Sequence, residues 1–171
     1  VVAGFVLAPL SVAGTASKIG LPVIIGPGLV ATMILARLQG SDEAGEFLLT
    51  AMLASIGVRL IVLSLIHQSV GPIPFAPDAS VYESVSADLL RSWNGLGPIP
   101  EKAGGTQMGY YAVNAIFFAI FGQGAGAPVA LNILLATWTA IPVYHLTLAA
   151  VRRNHAVARW ATVMTLFFPS L

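Results

Sequence analysis

Apolar residues run through this chain in long blocks separated by short polar stretches. Residues 1–14 and 19–36 are apolar, but Pro9, Pro22, Pro27 and several glycines interrupt them, and Lys18 lies between. Proline and glycine are tolerated in a lipid-embedded helix when neighbours satisfy the freed backbone groups, so residues 1–36 are expected to form one or two short or kinked spans. The polar run QGSDEAGE, residues 39–46, reads as a loop. Residues 47–66 then give twenty positions with a single charge, Arg59, which is the length of a bilayer-crossing helix. From 67 to 108 the pattern is mixed and holds Asp78, Glu83, Asp88, Arg91, Glu101 and Lys102, so this stretch is expected outside the hydrocarbon. GYYAVNAIFFAIFG, residues 109–122, is apolar again. As a helix it reaches only about 21 Å against a core of about 30 Å, which predicts a re-entrant or interfacial segment. Residues 128–150 are long enough to span, residues 151–159 hold Arg152, Arg153 and Arg159 without an acid, and residues 158–171 read as the start of a further span.

Composition turns this pattern into a solvent argument. Of 171 residues 57% are apolar and 9% charged, with a mean hydropathy of +0.85, whereas a soluble domain carries about 25% charged residues to clothe its core. Fifteen charges (eight Lys and Arg, seven Asp and Glu) cannot make that shell. The expected fold class is therefore all-α: a polytopic integral membrane protein forming a single membrane domain over residues 1–171, with the lipid bilayer as its first partner. A soluble enzyme and a disordered linker are excluded. A net charge of +1 offers no basic field for nucleic acid, and the absence of cysteine removes disulfides and thiolate chemistry. No Met opens the chain and the last apolar run is short, so a longer natural protein, with possible further membrane subunits as partners, is expected.

Orientation follows from the arginines at 152 and 153. Short Lys- and Arg-rich loops stay on the cytoplasmic side, which places residues 67–122 in an extracytoplasmic loop, most simply at a cell (inner or plasma) membrane. Arg59 within a span costs about 2.5–3.5 kcal/mol unless it faces protein or a cavity, so it is expected to face protein.

The outer loop is where chemistry is expected. DASVYESVSADLLRSWN reads as an amphipathic helix along the membrane surface, with Tyr82, Val85, Leu89 and Trp93 on one stripe turned inward. Pro77, Asp78 and the Asn94-Gly95 pair are ordinary start and stop signals. Asp78 thus has two readings, a helix cap or a carboxylate that accepts a proton from a nucleophile. Asp88 and Arg91 stand i, i+3 and read first as a surface pair. His67, His145 and His155 have no H-x-x-x-H spacing, and the glycine pairs lack the Lys-Ser or Lys-Thr of a phosphate loop. Trp93, Trp138 and Trp160 read as interface or packing residues.

The ordered set APDASVYESVSADLLRSWNGLG, GYYAVNAIFFAIFG, APVALNILLATWTAIPVYHLTLAAVRR and ARWATVMTLFFPSL resembles the polyprenyl-phosphate-dependent glycosyltransferases of the GT-C fold, the group that includes protein mannosyltransferases and aminoarabinose transferases. The resemblance covers about residues 58–171 and implies a lipid-phosphate sugar donor, an extracytoplasmic acceptor and two juxtamembrane helices in the outer loop. It implies that Asp78 matches the family's loop aspartate, a general base or acceptor-orienting group. Tyr82 matches the aromatic one turn later, and Tyr110 and Tyr111 match an aromatic pair in the second juxtamembrane helix. Two departures stand out: Ala79 occupies a position where many members have Glu, and Gln107-Met108-Gly109 replaces the usual prolines. Glu83 or Asp88 is then the candidate second acid, and a divalent metal is a possible cofactor that the sequence does not require. Arg91, Lys102 and Arg59 are the candidate cations for the departing phosphate. The alternatives are a non-catalytic membrane subunit whose Arg59 pairs with an acid on a partner helix, and a transporter fragment with broken helices lining a pathway.

Overall fold

The computed structural model describes residues 17–39, 42–69, 77–123 and 126–167. The expectations for residues 1–16, for the turns at 70–76 and for the chain after Phe167 lie outside them. The described residues form seven α-helices and no strand: α1 Ser17–Arg37, α2 Asp42–Ser69, α3 Pro77–Trp93, α4 Met108–Phe121, α5 Gly126–Trp138, α6 Ala140–Ala150 and α7 His155–Phe167, with a 3-10 turn at Glu101–Gly104. Two stretches are helical, long and apolar enough to cross a bilayer, Glu43–Leu65 and Gly126–Ala150. The chain divides into two compact units, one of residues 1–24 and 61–130 and the other of residues 25–60 and 131–171.

Local chemistry explains where the helices start and break. Over its described length α1 is one helix that continues through Pro22 and Pro27, each of which removes one i→i−4 bond. The polar run 39–46 is not a loop throughout, because α2 already begins at Asp42. The run carries three acids, Asp42, Glu43 and Glu46, in the opening turns of that helix, where negative charge meets the positive end of the macrodipole. Polarity alone cannot separate such a helix start from a turn. The expected span at 128–150 is two helical segments in one line. Pro142 has no N–H to give the Trp138 carbonyl, but Thr139 N–H still donates to Leu135 at 3.2 Å and Val143 N–H to Thr139 at 3.1 Å, so the axis is carried across the gap.

The turn between α6 and α7 is tight and strained. Arg152 and Arg153 have φ of 50° and 63°, a left-handed conformation that costs about 1–2 kcal/mol per residue carrying a Cβ. What holds it is a Schellman-type closure, Arg153 N–H to Leu148 carbonyl at 2.9 Å. Asn154 Oδ1 then caps α7 by accepting from the N–H groups of Ala156 and Val157 at 3.1 and 3.3 Å.

In the unit of residues 25–60 and 131–171 the core gathers Leu48, Met52, Tyr144, Ala158 and Leu166 with small alanines between them. Its buried polar groups are small hydroxyls at Thr32, Ser55, Thr137 and Thr162. Three of them donate to a carbonyl four residues back: Thr32 to Gly28, Thr137 to Ile133 and Thr162 to Ala158, at 2.8, 2.7 and 2.8 Å. Trp138 Nε1 donates to Thr32 Oγ1 at 2.9 Å, which makes Trp138 a packing residue. Gly28 lies so close to Leu134 that a Cβ there would overlap the leucine side chain. Large aliphatics, among them Val30, Ile34, Leu53, Val58 and Leu135, are instead exposed.

Candidate functional site

The unit of residues 1–24 and 61–130 carries most of the residues singled out in the sequence. Its core is built where α3, the 3-10 turn and α4 meet, and consists of Val85, Leu89, Ala103, Tyr111 and Ala115, with Tyr82 and Leu90 packed against it. The helix expected over residues 79–93 is present and starts at Pro77, so Asp78 stands in its first turn. The side chain of Asp78 lies outside the described residues, and so does that of His67. Residues 94–107 return the chain so that α4 begins beside the first half of α3.

That return brings the three predicted tyrosines together. The rings of Tyr82 and Tyr110 meet edge to face with centroids 4.9 Å apart, and those of Tyr82 and Tyr111 are tilted at 5.5 Å. Such pairs add about 0.5–1.5 kcal/mol beyond area burial. Tyr111 is buried and its hydroxyl donates to Gln107 Oε1 at 2.9 Å, so Gln107 anchors this ring. Tyr110 keeps an exposed face. The cluster therefore combines a fixed ring, a half-buried ring and an open ring.

The remaining candidates do not join that cluster. Glu83, Arg91 and Lys102 are all exposed, and Arg91 lies 3.8 Å from Asp88 in a solvated i, i+3 pair worth at most about 1 kcal/mol. Among the described residues no three His, Asp or Glu side chains gather as a metal would need. Trp93 departs from the inward stripe. It is 51% exposed, because it is the last residue of α3, where the chain turns away at Asn94-Gly95 and no packed element follows. Ser86 takes a place on the buried side instead.

Arg59 belongs to the other unit and does face protein. Its Nε donates to Ser55 Oγ at 3.3 Å and its terminal nitrogen to the Leu166 carbonyl at 3.2 Å. Leu166 lies in the last described turn of α7. The guanidinium thus has two neutral hydrogen-bond acceptors within the chain.

Two polar relationships in that unit had no sequence signal. Arg159 donates to Glu43 Oε1 at 2.6 Å across 116 positions and lies over the Phe47 ring at 5.4 Å. His145 Nε2 and Gln39 Oε1 are 2.7 Å apart. Together they tie the α1–α2 connection to the α6–α7 turn at one end of the unit. A shallow groove of about 360 Å³ lined by Ala156, Arg159, Trp160 and Val163 also lies in this unit, and none of the predicted site residues lines it. Comparison of the chain with protein-family models, with curated proteins and with solved structures finds no match.

Proposed function

We propose that this chain is the membrane-embedded part of a glycosyltransferase that moves a sugar from a polyprenyl-phosphate donor to an acceptor on the extracytoplasmic side, with Asp78 as the general base. The membrane reading is supported by the two span-length helices and by the inversion of polarity, with hydroxyls buried and aliphatics exposed. A surface this rich in large aliphatics is unusual beside water, and both arrangements suit lipid. The same-end linkage of residues 39 and 43 to residues 145 and 159 suits a topology in which both connections face the cytoplasm.

The observation that carries the enzymatic reading is the convergence of Tyr82, Tyr110 and Tyr111 in a unit whose amphipathic helix opens with Asp78. Aromatic faces stack on sugar rings and on prenyl chains alike, and a carboxylate near the start of the same helix is the group this reading assigns as base. As the bond from the anomeric carbon to the phosphate oxygen breaks, positive charge develops on the sugar. The acceptor hydroxyl or amine attacks, its proton passes to the Asp78 carboxylate, and the polyprenyl phosphate leaves with the bonding electrons. Arg91 and Lys102 are the exposed cations of the unit that can meet that phosphate.

The test is Asp78→Asn in full-length protein in membranes, followed by turnover of a radiolabelled polyprenyl-phosphate sugar. The amide keeps the size and removes the charge and the basicity of the carboxylate. Folding should survive while transfer falls by about 10²-fold or more. Transfer at the wild-type rate would sink the mechanism.

A further inference from the structure

The two helices of the tyrosine unit are solvated in opposite senses. Helix α3 turns Glu83, Ser84, Asp88 and Arg91 outward and Val85 and Leu89 inward, as a helix beside water does. Helix α4 does the reverse. It has no charged residue, buries Asn114 with Tyr111, Ala115 and Phe118, and exposes Val113, Ile116 and Ile120 at 42%, 49% and 66%. In water an amphipathic helix would put Asn outside and the isoleucines inside. At the margin, residues 92–100 are uncharged and leave Trp93, Leu96 and Ile99 exposed, a composition that suits the headgroup level.

We propose that the Val113–Ile116–Ile120 face of α4 lies in the acyl-chain boundary of a lipid bilayer while α3, packed on its other side, faces water. This rests on the reading of the chain as membrane-embedded and adds which surface of this unit meets lipid. With about 21 Å of length α4 is too short to cross the bilayer, and an apolar stripe along its whole side fits an axis lying along the interface. The stripe of α3 that the sequence offers as membrane-facing is consumed by contact with α4 and the 3-10 turn, and α4 supplies the apolar face in its place.

Because the chain has no cysteine, single nitroxide labels report position directly. Full-chain Ile116→Cys, Ile120→Cys, Asp88→Cys and Val62→Cys variants would be spin-labelled and reconstituted in phosphatidylcholine vesicles. Accessibility to oxygen, which partitions into lipid, is then compared with accessibility to a water-soluble nickel chelate. Val62 is an exposed residue of the Glu43–Leu65 span and serves as the lipid reference. The expected result is an oxygen-to-nickel ratio at Ile116 and Ile120 several-fold above that at Asp88 and near that at Val62. Nickel-accessible labels on α4 with Val62 in lipid would overturn this proposal and leave the membrane reading standing. Labels on α4 shielded from both probes would also overturn it, since protein, a second copy included, would then cover the face. A water-accessible Val62 would take both readings down.

Discussion

Arg59 in α2 donates a hydrogen bond to the carbonyl oxygen of Leu166 at the end of α7, with 3.2 Å between the heavy atoms. A charge within an apolar span thereby finds a carbonyl acceptor on another helix. A hydrogen bond from a charged donor is worth about 1.5–3 kcal/mol, so Arg59→Met is expected to lower stability by about that amount. Thermal unfolding in detergent, followed by circular dichroism, reads it. A variant as stable as the wild type would show that the contact contributes nothing.

The α6–α7 turn makes a second, separable prediction. Arg152 at φ 50° bears a left-handed penalty that glycine does not. Arg152→Gly and Arg152→Ala lose the same charge, so the difference between them isolates the backbone. The glycine variant should be the more stable by about 1 kcal/mol, measured as midpoint differences in the same detergent.

Gly28 allows α1 to approach Leu134 on α5 closely. Gly28→Val should destabilise by about 1–3 kcal/mol through overpacking. Leu134→Ala in the same chain should recover part of the loss, a coupling that a double-mutant cycle measures. Additive effects would place the cost elsewhere than at this contact.

The tyrosine cluster separates positioning from packing. Tyr111→Phe keeps the ring and loses the bond to Gln107, so its effect on stability is expected at about 1 kcal/mol. Tyr110 meets Tyr82 edge to face at 4.9 Å and keeps an open face. Tyr110→Ala should therefore cost about 0.5–1.5 kcal/mol of stability and raise the KM for the polyprenyl-phosphate sugar. An unchanged KM removes Tyr110 from the site.

Topology is tested by cysteines at Ser92 and Asn154. A membrane-impermeant maleimide should label them from opposite sides in sealed vesicles, because one full span separates the outer loop from the basic turn. Labelling from the same side would reject the interfacial assignment of residues 109–122.

Sequence alone determined what depends on local pattern and on the solvent. The scarcity of charge, the blocks at 47–66 and 128–150, the short apolar run at 109–122 and the amphipathic helix after Pro77 all follow from composition, periodicity and length, and the structure carries each of the four segments as helix, that at 128–150 in two pieces. Residue type also marked Arg59 as facing protein, because an unpaired charge in a span is too costly. Tertiary structure decided which partners residues distant in the chain meet. Glu43 finds Arg159, Gln39 finds His145, and Arg59 finds the end of α7, and no spacing rule relates positions more than 100 apart. It also decided which faces are covered. Trp93 shares the period of Val85 and Leu89 yet stays exposed, because burial depends on whether a neighbour reaches that turn of the helix. Periodicity gives the face a side chain points from, and only packing determines whether lipid, water or protein lies opposite.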